Sequence, residues 1–227
     1  QLIQSNTDGL IVKLFKDEDY DLIDDICYEW EKRTRMQLEF ESYKKIFQKD
    51  VNNYIIVDFD GNYKSKGAYV KKLDNLDYDL PIVNHAIKQY LLYGIHPKQT
   101  IEECQSLREF QKIVKVSNKY LYALYNPTIT EEKICDKNNR LKTIKVFKGG
   151  EIQHEKCFRV FASKSSSDGG IYKVKSPGKN PEKFANTPEN CFIINGDINN
   201  YKIPEKLDKD WYIDVAIKRL EDFGVKL

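Results

Sequence analysis

The sequence predicts an α+β chain in which antiparallel β-hairpins with a covering helix are followed by a mixed helical and β region. Three observations carry this. Runs rich in β-branched residues flank turn signals at Asn6-Thr7-Asp8-Gly9 and at Asp58-Phe59-Asp60-Gly61-Asn62. Apolar residues recur at three- and four-residue spacing over 17–35 and from Pro81 to Gly94. Between Tyr120 and Val174, short strand-like runs alternate with polar, Gly- and Ser-rich turns.

Taken in order, Gln1–Ser5 and Leu10–Leu14 read as two strands joined by the Asp8-Gly9 turn. A helix then opens at Asp17-Glu18-Asp19 and runs to about Arg35, with Leu22, Ile23, Ile26, Cys27 and Trp30 on one face. Acidic residues crowd its first turns, and Lys32, Arg33 and Arg35 its last, as the helix dipole favours. This helix is expected to cover the sheet that carries the hairpin. Gln37–Glu41 alternates like a half-buried strand, and a second hairpin pairs Asn53–Val57 with Tyr63–Val70. Pro81 starts a helix that Gly94 stops. Another helix is expected over Thr100–Ile113, and a closing helix over Asp208–Phe223. Ser165–Gly170 reads as a mobile loop, and Trp30 and Trp211 as core anchors. The natural boundary lies near residues 72 to 80, dividing the chain into 1–75 and 76–227.

The 227 residues are 41% hydrophobic and 32% charged, with 15 Tyr and 11 Phe, a globular rather than a disordered or fibrous composition. Lysine far outnumbers arginine, as in a chain from an AT-rich genome. The five cysteines are widely spaced and form no Cys-x-x-Cys pair, which argues against a disulfide framework or a zinc site and favours a reducing cytoplasm. No apolar stretch approaches the roughly 18 residues of a membrane span, so no membrane is expected among the partners. The chain begins at Gln1 and enters a strand at once, which reads as a fragment.

Asp8 sits at the tip of a tight hairpin, a placement that suits a metal ion. Taken alone, the Asp-Gly step proves only a turn, since most such turns choose these residues for backbone reasons. Lys64, Lys66 and Tyr69 alternate along one strand, where long ammonium groups and a phenol reach phosphate or sugar oxygens, and Gly67 permits close backbone approach. Lysines on a strand edge also guard against aggregation, so a solvated basic edge is the other reading. Farther on, Lys112, Lys115, Lys119 and Tyr120 combine basic and aromatic character, and Arg159 with Lys164 flank a strand able to face phosphate. A charged surface typical of a lysine-rich proteome explains them as well. His85, His96 and His154 stand apart from one another and read as surface or packing residues.

Considered together, Thr7-Asp8 in its hairpin, Leu38-Glu39-Phe40-Glu41 with Tyr43, Val51–Ile55 and Lys64-Ser65-Lys66-Gly67-Ala68-Tyr69 resemble, in order and spacing, the end of the palm of family B DNA polymerases, particularly the compact phage type. The resemblance implies that 1–75 is the C-terminal part of the palm and that 76–227 is a DNA-binding thumb. It implies two-metal nucleotidyl transfer with Mg2+, primer-template DNA and deoxynucleoside triphosphates as partners, and a phage or mobile element working in a bacterial cytoplasm. Asp8 would bind the metal, with Thr7 and Asn6 beside it, and Lys64, Lys66, Gly67, Tyr69, Lys115 and Lys119 would contact DNA. Asn6 stands where the family carries a second Asp, and as a neutral amide it supports rather than binds. The remaining carboxylate and the nucleotide-binding helix would lie upstream of Gln1, so this chain alone is not expected to polymerise. The competing reading is a stand-alone nucleic-acid-binding module in which the first hairpin is structural.

Overall fold

The computed structural model describes residues 1–6, 9–72, 79–135 and 140–227, so Thr7 and Asp8 lie outside the described residues. The chain forms two compact units, Gln1–Lys71 with Asp222–Lys226, and Lys72–Glu221 with Leu227. It is α+β, and every strand pairing among the described residues is antiparallel.

In the first unit, β1 (Leu2–Ser5) and β2 (Leu10–Val12) form the opening hairpin. Helix α1 (Glu18–Thr34) follows, and Asp19 closes its start by accepting the Phe15 and Lys16 N–H groups through Oδ2 at 2.8 and 3.2 Å. It ends at Arg35, whose φ of 60° places it in the left-handed region. A three-stranded sheet then forms from β3 (Lys45–Asp50), β4 (Asn53–Val57) and β5 (Tyr63–Lys66), with β4 in the centre. Ile55 and Ile56 on the central strand are buried, as its place between two partners requires.

Three expectations are corrected here. No residue of α1 is buried, and Leu22 and Ile26 are more than half exposed, so the helix forms without covering the hairpin sheet, and Trp30 is only half-buried. Periodicity reports which face is apolar and not whether a partner reaches it. Residues 37–41 are not a strand, because no neighbour accepts their backbone into a ladder. The Leu38 N–H is instead taken by the Glu31 carboxylate at 2.6 Å, and strand pairing starts only at Lys45.

The second unit opens with α2 (Pro81–Tyr93), closed by Gly94 at a φ of 73°. Its start is tied down by Asp79, whose Oδ1 accepts the Ile113 N–H at 2.9 Å and whose other oxygen meets Lys112 Nζ at 2.8 Å. The expected helix over 100–113 is three elements: α3 (Pro97–Glu103), a 3-10 turn at Leu107–Phe110 and β6 (Lys112–Lys115). Cys104 and Gln111 are extended and break the run, because β6 is captured by β11 (Cys157–Ala162).

Between them lie β7 (Tyr122–Tyr125), β8 (Thr128–Cys135), β9 (Leu141–Lys148) and β10 (Glu151–Gln153). After β11 come β12 (Ile171–Val174), β13 (Glu182–Lys183), β14 (Cys191–Ile193) and α4 (Lys209–Glu221). They assemble as a sheet ordered β10-β7-β12-β13, a sheet ordered β14-β11-β6 and a separate β8-β9 ribbon. The two sheets enclose Val114, Ala123, Phe158, Val160, Ile171 and Cys191. Helices α2 and α4 bury Ile82, Val83, Ala86, Ile87, Tyr212, Ala216 and Leu220. Tyr212, rather than the half-buried Trp211, is the anchor of α4.

The Ser165–Gly170 loop is pinned rather than mobile. Asp168 accepts the Ser163 hydroxyl at 2.6 Å and meets Lys206 Nζ at 2.9 Å, while the Gly169 and Gly170 carbonyls accept the Cys191 and Asn126 N–H groups. Serines and glycines signal a loop by their local preferences, whereas the partners that restrain it come from distant segments.

Burial weakens several neutral groups in this unit as acids. The Cys191 thiol is pushed up to about 12 from its ordinary 9.0, chiefly by desolvation and then by Asp168. Desolvation also raises Tyr212, Tyr125 and Tyr172 above their ordinary 10.0. Because each folded value exceeds the unfolded one, the stabilisation is complete below the unfolded value and is lost as pH rises towards the folded one. Stability measured by denaturant titration is therefore expected to fall steadily from pH 9 to pH 12, with Cys191 and Tyr212 each contributing a slope of about 1.4 kcal/mol per pH unit once their unfolded forms ionise. Cys191→Ala should flatten the lower end of that decline, and a level profile across the window would contradict the burial argument.

Candidate nucleic-acid interface

The turn of the opening hairpin is closed by Asn6. Its N–H donates to the Gly9 carbonyl at 3.0 Å, and its Oδ1 accepts the Gly9 N–H at 2.9 Å. Asn is suited to this double role because its short side chain mimics a backbone acceptor. Two residues before Asn6, Gln4 is 5% exposed, and its Oε1 has no hydrogen-bond donor among the described residues. The same residues contain no group of three or more His, Cys, Asp or Glu side chains able to hold a metal ion. Asp8, the residue expected to bind Mg2+, lies outside the described residues. One carboxylate fits a single ligand position and not a complete ion site.

Around β5, the register sets Lys64 opposite Ile56 and Lys66 opposite Tyr54, so both lysines project from one face. Lys64 Nζ donates to Glu41 Oε1 at 2.6 Å, and the Tyr43 hydroxyl donates to the other Glu41 oxygen. These two hydrogen bonds, Lys64 first, hold the Glu41 carboxyl below its ordinary range, and Glu41 in turn raises Lys64. The pair is solvent-exposed, so it adds little stability and a phosphate can compete for the lysine. Glu41 and Tyr43 belong to one sequence motif and Lys64 to another, and the fold brings the two together.

Strand β5 ends at Lys66, so Tyr69 is not on it as the alternation implied. Tyr69 lies beyond the turn at Gly67, under Lys49 Nζ at 4.9 Å from its ring centroid, and Lys49 is also paired with Asp222 at 2.8 Å. Gly67 has a φ of 102°, and a Cβ there would collide with the Asn53 side chain and lie 2.7 Å from the Asn52 carbonyl oxygen. The close approach that needs glycine is thus to its own chain. Gly67→Ala is expected to cost about 1–3 kcal/mol through left-handed strain and this clash. Thermal unfolding checks it, and an unchanged midpoint would show that the turn relaxes freely.

In the second unit, Lys115 is exposed at the end of β6, and Lys119 is exposed with Nζ 5.3 Å from the Tyr120 ring centroid. Lys173 lies 4.8 Å from the same ring. Tyr120 is only 6% exposed, donates its hydroxyl to Glu182 at 2.8 Å and has its carbonyl capped by Lys156 at 3.0 Å, so it is a packing residue with a basic rim. Lys112 is held by Asp79, and Arg159 donates to the Gly196 carbonyl at 2.7 Å, so these two are structural ties. Lys115, Lys119 and Lys164 remain on the surface. Among the described residues, no helix is long and apolar enough to cross a membrane.

No protein-family model matches the chain, and no curated protein or solved structure matches it.

Proposed function

We propose that this chain is the C-terminal palm segment and thumb of a phage-type family B DNA polymerase, in which a primer is extended by nucleotidyl transfer. The observation that carries the reading is the order and spacing of three motifs, Asn6–Gly9, Leu38–Tyr43 and Lys64–Tyr69. The meeting of Glu41 and Tyr43 with Lys64 supports it, because the second and third motifs then act as one surface. In this reading Asn6 shapes the turn that presents Asp8, and the exposed Lys66, Lys115 and Lys119 hold duplex phosphate without regard to sequence. Divalent magnesium, when bound, supplies charge neutralisation at the reacting phosphates. Primer extension by the full-length gene product, with and without Asp8, tests the proposal. A full-length product with no extension activity would overturn it.

A further inference from the structure

We infer that the β8–β9 ribbon is a DNA-binding arm that lies in the major groove of a B-form duplex. The two strands pair over eight successive residues, Thr128 opposite Lys148 through Cys135 opposite Leu141, and neither joins another sheet. At about 3.4 Å per residue the arm is roughly 27 Å long. All eight residues of β8 are exposed, so the ribbon is not held by burial along its length. An isolated two-stranded ribbon of this kind is marginal in water unless something restrains or covers it.

Its root supplies the restraint. Phe147 packs edge-on against Tyr172 with ring centroids 5.2 Å apart, and Pro127 is buried. Gly150, at a φ of 91°, lets the chain return within a side chain's width of the Tyr125 carbonyl and Pro127. A ribbon fixed at its base and bare beyond it is built to reach a partner.

Charge selects that partner. From Thr128 to Lys148 the chain carries more cations than anions, although its overall net charge is only +2. Glu131 stands opposite Lys145, and Glu132 lies 4.0 Å from Lys148, so the two glutamates of β8 are matched towards the root. Farther out, Lys133 and Lys142 form no ion pair among the described residues. They stand in neighbouring register pairs and therefore project from opposite faces of the ribbon. Cations on both faces suit an object with phosphate walls on both sides. The B-form major groove, about 12 Å wide, admits a two-stranded ribbon, whereas the A-form major groove is too narrow. The inference extends the DNA-binding half of the function proposed above, on which it rests for the choice of DNA, and makes no use of Asp8.

The test is binding of the unaltered chain to about two turns of B-form DNA across a salt series of about 50–200 mM. It is compared with Lys133→Glu/Lys142→Glu, with the milder Lys133→Ala/Lys142→Ala, and with a charge-matched control, Lys98→Glu/Lys218→Glu. Each phosphate contact contributes about 0.9 to the slope of log affinity against log salt, so the ribbon variants should flatten that slope by about 2. The control should leave it unchanged. Guanine N7 methylation should be blocked by the unaltered chain and not by the ribbon variants. Failure of the unaltered chain to bind duplex, equal slopes in ribbon and control variants, or equal binding to an RNA duplex or a single strand would each overturn the inference. Ribbon-dependent binding by this chain, with no primer extension by the full-length product, would keep the arm and remove the polymerase reading. Primer extension indifferent to Lys133 and Lys142 would do the reverse.

Discussion

Full-length protein carrying Asp8→Ala is expected to extend a primer about 1,000-fold more slowly than the unaltered protein, since a metal ligand supplies several kcal/mol to the transition state and each 1.36 kcal/mol is tenfold in rate. Primer-template affinity should change little, because the proposed phosphate contacts are lysines elsewhere in the chain. Asp8→Asn should behave like Asp8→Ala, since the amide keeps the shape of the turn residue and loses the negative charge. That pair separates the metal role from a turn role, as a purely structural Asp8 would tolerate Asn well. Single-turnover extension is the measurement, and activity within tenfold of normal in both variants would remove Asp8 from the chemistry.

The second large effect concerns stability. Tyr212→Ala should destabilise the second unit by about 4–6 kcal/mol, combining the loss of a fully buried aromatic with an unpaired buried N–H. Tyr212 has no exposed surface, meets Phe110 edge-on at 5.1 Å and accepts the Ala162 N–H at 3.0 Å, so it joins α4 to β11 by packing and by a hydrogen bond. A loss of that size is comparable with the whole stability of many domains, about 5–15 kcal/mol. Tyr212→Phe keeps the ring and strands the Ala162 N–H, and should cost about 1–3 kcal/mol. Denaturant titration of both variants gives the two parts separately, and a loss below about 1 kcal/mol for Tyr212→Ala would show that the site collapses around the deletion.

Local chemistry made much of this chain readable. The Asn6–Gly9 and Asp58–Asn62 turns, the acidic start and basic end of α1, and the Pro81 and Gly94 boundaries of α2 all depend on residues within a few positions of one another. Errors occur where distant segments compete. Residues 37–41 have strand alternation and no ladder partner, and the helical spacing over 100–113 gives way because β11 pairs with β6. The β8–β9 ribbon was hidden within a region read as short strands. Its signal was present as two runs rich in Ile, Thr and Val around the polar stretch 136–139, but only the register shows that they pair throughout.

The same division holds for the candidate site. From the sequence alone come the α+β class, the turn that carries Asp8 and the basic character of Lys64, Lys66, Lys115 and Lys119, because composition and near-neighbour backbone preferences settle them. The tertiary structure decided which of those charges is already engaged. Lys64 is engaged by Glu41, Lys112 by Asp79 and Lys49 by an aspartate 173 residues away, while Gly67 serves its own chain. The reason is physical. A side chain's type and its local backbone preference are encoded at its own position, whereas its partner is set by sheet register and chain return, which depend on the whole fold.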